Sequence, residues 1–156
     1  MRLKHLMLDA AVALALGCGI SGYSGAANLL PTEHKQGDVA YLSGGIGEDE
    51  ARAIEAKARD YPLTLEFLVK AQPRAEFTSD VKVKIEDHAG KVVLDTVSEG
   101  PFLLVRLPPG RYAVNANLEG ETQARHIHLV DKRPKRVIFE WNRAVSSAGA
   151  PVRRHG

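Results

Sequence analysis

His126-Ile127-His128 is the one His-x-His in the chain, and because alternate residues of a strand share a face, both imidazoles would project together as two ligands for a metal ion. Spacing supplies no third ligand. His34 and His88 qualify only if the fold brings them near, and the sole cysteine, Cys18, and both methionines, Met1 and Met7, lie in the N-terminal segment, so a soft copper or zinc set cannot be completed from the rest. The plainer reading of His126 and His128 is two polar side chains on a solvated strand face. These histidines, with His88, carry the alternative of a metal- or small-ligand-binding protein. No cofactor is expected.

Ser43-Gly44-Gly45-Ile46-Gly47 precedes a helical pattern and has the glycine content of a phosphate-cradling loop. Glu48, Asp49 and Glu50 would repel an anion there, and no Gly-Lys-Ser/Thr follows, so a hinge that places the helix, or a contact surface, is expected instead. Ser43, Ser98, Ser146 and Ser147 sit in no Gly-x-Ser-x-Gly elbow, and no triad can be assembled. Glu76, Asp80, Glu86, Asp87 and Asp95 lack the close alternation of a calcium loop and read as solvated carboxylates. Lys132, Arg133, Lys135 and Arg136 form a short basic turn that could meet an anionic lipid head or a polysaccharide. A non-enzyme is expected.

The 156 residues suit a single domain, and 21 basic against 19 acidic residues, scattered along the chain, give a net charge of +2. Nucleic acid is therefore not an implied partner. Arg2, Lys4 and His5 precede an apolar run, Leu6 to Gly17, broken only by Asp9, and the small residues Ser24 to Ala27 follow. This is the pattern of an export signal over residues 1–26, with an uncleaved anchor as the rival. Cys18 reads as an ordinary signal residue, with lipidation as the lesser reading, and a membrane enters only if the segment stays uncleaved or Cys18 is lipidated. The mature chain then has no disulfide, although export leads to an oxidising compartment.

Residues 27–46 have little periodicity and are expected to form a flexible leader. Over 47–61, Ala51, Ile54, Ala58 and Tyr61 recur at helical spacing, acidic residues load the first turn, and Pro62 stops the run. Glu48 with Arg52 and Glu55 with Arg59 are expected ion pairs on that helix. From Leu63 the period becomes two, giving half-buried strands at 63–70 and 81–86, with a partner at 91–97 beyond the His88-Ala89-Gly90 turn. Phe102 to Leu107 is apolar on both faces, which marks a central or helix-covered strand. It is expected to form a hairpin through Pro108-Pro109-Gly110 with the strand carrying Tyr112, Val114, Ala116 and Leu118. Glu119-Gly120 turns the chain into a strand with Ile127 and Leu129 inward, and the last strand points Val137, Phe139 and Trp141 inward. The pattern predicts a mainly β protein, a seven-stranded antiparallel β-sandwich over 62–141 with one short N-terminal helix and a disordered tail over 142–156.

The strand, Leu107-Pro108-Pro109-Gly110-Arg111-Tyr112, strand core, followed by Glu119-Gly120, resembles the carboxypeptidase regulatory-like domains, which are transthyretin-like (prealbumin-like) sandwiches. Gly110, Tyr112 and Gly120 fall where that group has its Gly-x-Tyr and later turn glycine. The segment from Tyr41 to Glu50, with Gly44, Gly45 and Gly47, is similar to one that precedes the domain in small exported bacterial proteins; the likeness covers about residues 40 to 141. Such domains are usually non-catalytic, and the resemblance implies an accessory module of the periplasm or cell envelope whose partner is an envelope protein or glycan. A purine-pathway hydrolase shares the fold but ends in Tyr-Arg-Gly-Ser, whereas this sequence ends Val152-Arg153-Arg154-His155-Gly156. Proline would fix φ at the turn, glycine would allow the reversal, and the Tyr112 hydroxyl would find a backbone partner.

Overall fold

A computed structural model describes residues 29–142; the expected export signal with Cys18, and residues 143–156 of the expected tail, lie outside the described residues. Two short strands come first, β1 (Glu33–Gln36) and β2 (Val39–Gly44), and then the helix α1 (Glu48–Lys57) with a 3-10 turn at Ala58–Asp60. There follow β3 (Leu63–Lys70), β4 (Glu76–Phe77), β5 (Lys82–Asp87) and β6 (Val92–Val97). The chain closes with β7 (Phe102–Arg106), β8 (Gly110–Leu118), β9 (Glu121–Leu129) and β10 (Lys135–Asn142). The protein is mainly β, with one helix and two open sheets. One sheet runs β1-β2-β7-β3-β10, with β4 on the far end of β3, and the other runs β6-β5-β8-β9.

Alternation places Leu63, Leu65, Phe67, Val105 and Phe139 of the first sheet against Val83, Ile85, Val114 and Ile127 of the second in one apolar core. The helix covers the opposite face of the first sheet, where Ile54, Tyr61, Leu42, Phe102 and Leu104 form a smaller core. Leu63 to Phe67 are consequently buried without a break, Thr64 and Glu66 included, where period two had predicted a half-buried strand. β7 is both central and helix-covered, as its doubly apolar sequence predicts: it lies between β2 and β3, with Leu103 and Val105 on one face and Phe102 and Leu104 on the other.

Residues 33–44 are not a flexible leader. β2 pairs with β7 from Ala40↔Arg106 to Gly44↔Phe102, and β1 hairpins onto β2 through Gly37. The strand was illegible because Val39, Ala40, Leu42 and Ser43 are buried on both sides, which removes alternation. Side chains lock it further. Tyr61 donates a 2.6 Å hydrogen bond to Glu33, the Arg106 guanidinium lies 4.1 Å above the Tyr61 ring centroid, and its Nη1 donates to the Asp60 carbonyl at 3.0 Å. Burial and the Glu33 carboxylate raise the Tyr61 pKa, while the Tyr61 and Arg106 hydrogen bonds hold Glu33 low.

Three other expectations are corrected. Ten strand segments occur among the described residues rather than seven, the additions being β1, β2 and β4. The strands are not all antiparallel, since β10 runs parallel to β3 from Lys135↔Leu63 to Asn142↔Lys70, a pairing that the long intervening chain permits. β7 and β8 are not a hairpin: Pro108 and Pro109 carry no backbone N–H, no ladder crosses them, and the chain passes from one sheet to the other.

Candidate functional site

A groove of about 590 Å³ opens where β2 ends and β7 begins, between the start of α1 and the segment through β4. Gly45 to Glu48, Ala51, Arg52 and Glu55 line one side, and Phe77, Thr78, Ser79, Pro101 and Phe102 line the other. Ile46 is 67% and Phe77 55% exposed, the two most exposed large apolar side chains among the described residues. The Phe77 ring packs on buried Phe102 at 5.3 Å between centroids, which fixes it at the groove wall. Glu48 and Arg52 pair across one helical turn, as their spacing predicts. Glu55 does not pair with Arg59; it reaches across to Arg136 of β10 at 3.8 Å.

The glycines at this end replace the expected hinge with close packing. Gly44 belongs to β2, and a Cβ on Gly100 would collide with the Gly44 backbone, so the two chains approach at glycine distance. Gly45 has φ +99, a Cβ there would stand 2.5 Å from the Phe102 ring, and its N–H donates to Glu50 Oε1 at 2.6 Å. Gly47, at φ +92, precedes the first residue of α1, whose acidic first turn meets the helix dipole without a side-chain cap.

A second cavity, of about 580 Å³, lies on the outer face of the second sheet, and it brings His88, His126 and His128 together. Cross-strand register puts His128 opposite Arg111 and His126 opposite Ala113, with Glu86 on the other side of Ala113. Asp87 is held below the ordinary carboxylate range by the backbone N–H groups of Lys91 and Ala89, at 3.0 and 2.9 Å. Tyr112 points into the core and its hydroxyl donates to the Pro108 carbonyl at 2.8 Å, the backbone partner expected of it. Burial raises its pKa. His34 is elsewhere, stacked on Tyr41 at 5.5 Å. Among the described residues no group of three or more His, Cys, Asp and Glu side chains could hold a metal ion.

No protein-family model matches the chain, and no curated protein matches it.

Gly110 does not perform the reversal expected of it: it opens β8 without a positive φ, and a Cβ would meet the Tyr112 ring at an ordinary 3.6 Å. Gly120 does turn the chain, with φ +93 after Glu119 at +50. The basic turn divides. Arg136 faces the helix, its Nη1 3.5 Å from Glu66 Oε2, while Lys132 and Arg133 edge a pocket of about 220 Å³ with Tyr61 and Pro109. Glu66 is 8% exposed and its Oε2 accepts no hydrogen bond; burial raises its pKa against the pull of Arg136, and Glu55 adds to the rise. Sequence reasoning missed Glu66, Phe77 and Arg111. Only Phe77, a lone aromatic in the polar stretch from Gln72 to Asp80, carries a signal that could have flagged it.

Among the described residues no helix is long and apolar enough to cross a membrane.

Proposed function

We propose that this chain is a non-catalytic exported module of the periplasm or cell envelope, a carboxypeptidase regulatory-like sandwich with β1, β2 and β4 added to one sheet, which holds a partner protein in the groove beside α1. The observation that carries the reading is the exposure of Ile46 and Phe77 on facing walls of one apolar cleft of about 590 Å³, a size that accepts one or two large side chains. Glu48 is already paired with Arg52 and Glu55 with Arg136, so the groove offers an apolar lining without excess charge, and the occupant is an envelope protein presenting an apolar anchor. The resemblance of the Tyr41 to Glu50 segment to exported proteins, and the export pattern of residues 1–26, support the address.

Deleting residues 41–61 would not test this, because Leu42 and Ile54 are core residues. A photo-crosslinking residue at position 46 of the full chain in cells should give a discrete envelope-protein adduct that Phe77→Ser abolishes. Position 82, exposed on the other sheet, is the control. Adducts identical from both positions, or none from position 46, would overturn the reading, and recovery of the chain in the cytoplasmic fraction would overturn the address.

A further inference from the structure

The cavity on the second sheet carries an inference independent of the groove. Directly opposed residues of antiparallel strands have Cβ atoms about 4.5–5.5 Å apart, so Arg111 and His128 stand side by side on the outer face, and His126 flanks Ala113 one step along. Ala113 is the small floor between them, and the turn through His88 and Gly90 is a wall. The side chains of Arg111, His126 and His128 have no hydrogen bond or ion pair with another described residue. By contrast Asp87 is occupied by its turn and Tyr112 by Pro108. The open donors are therefore a guanidinium, which matches an oxyanion with paired N–H groups, and imidazoles, each of which offers an N–H in either protonation state. A guanidinium this close to His128 opposes a metal cation and favours an anion.

We propose that this cavity is a binding site for a phosphate group. Arg111 grips two of its oxygens, His126 and His128 donate from β9, His88 closes the turn side, and Glu86 accepts the hydroxyl of the protonated phosphate. The carboxylate gives the site a preference for hydrogen phosphate over sulfate, which has no proton to donate near neutral pH.

The test is titration of the folded, isotopically labelled protein with inorganic phosphate, followed by backbone and imidazole NMR shifts. Glycerol 3-phosphate is run as a second arm to distinguish free phosphate from a monoester, and sulfate and zinc are run as controls. Saturable shifts confined to residues 86–90, 111–113 and 126–128 are expected with phosphate, weaker ones with sulfate. Arg111→Gln should weaken binding at least about tenfold, as loss of a bidentate charge-assisted contact requires, and Ala113→Leu should block it by filling the floor. Both side chains face outward, so an unchanged amide spectrum elsewhere verifies the fold. No saturable shift with phosphate or its monoester, equal affinity in Arg111→Gln, or shifts with zinc alone would overturn the proposal.

Discussion

Replacing Gly45 with alanine separates a hinge from a packed junction at the edge of the groove. The new Cβ faces two independent costs. At φ +99 an L side chain is strained by about 1–2 kcal/mol, and with the Phe102 ring only 2.5 Å from the added carbon, overpacking adds about 1–3 kcal/mol. Phe102 cannot swing away, since it is 1% exposed and wedged among Leu42, Ile54 and Leu104. The control is Gly90→Ala, at φ +78 with nothing within 4 Å of the built carbon. It shares the strain and the loss of unfolded-chain entropy but not the collision. The two variants should therefore differ by about 1–3 kcal/mol, which with a urea m-value of about 1–2 kcal/mol/M places the Gly45→Ala midpoint about 1 M below that of Gly90→Ala. The assay is equilibrium urea unfolding with equal m-values required. Midpoints within about 0.2 M of each other would refute the packed junction and restore the hinge.

Glu66→Gln should remove a pH dependence. Because burial raises the folded-state pKa of Glu66, the folded protein holds that proton more tightly than the unfolded chain; the stabilisation is complete below the ordinary carboxylate pKa and is lost as pH rises through the raised value. Wild type should thus lose stability relative to Glu66→Gln in urea titrations as pH rises above the ordinary carboxylate range, and a flat difference would contradict it. Tyr112→Phe deletes the 2.8 Å bond to Pro108 and should cost about 0.5–1.5 kcal/mol by thermal unfolding. Ile54→Ala empties the fully buried contact between helix and sheet, and should cost about 2–5 kcal/mol by the same measurement. Ile46→Ser, at an exposed site, should change stability by no more than about 0.5 kcal/mol.

Local pattern alone determined much of this protein. Tyr112, Val114 and Ala116 face inward in β8 as period two requires, Ile54 buries the helix's apolar side, and Gly90 and Gly120 turn the chain at positive φ, although the helical spacing overran to Tyr61, which is extended beyond the 3-10 turn. These features depend on neighbours within a few residues, so the sequence encodes them directly. The rest is set by contacts between distant segments. β2 and the first five residues of β3 are buried on both faces, so neither alternates, and only the covering helix explains Thr64 and Glu66 in the interior. β10 pairs in parallel with a strand far earlier in the chain, and the Pro108-Pro109 link changes sheets, choices no local periodicity records. The candidate sites follow the same division. Glycines 44, 45 and 47 and the His-x-His were visible as residue types, but the facing of Ile46 by Phe77, and of His128 by Arg111, arises only when strands are set in register, because a side chain's neighbours across a sheet are chosen by pairing and not by sequence distance.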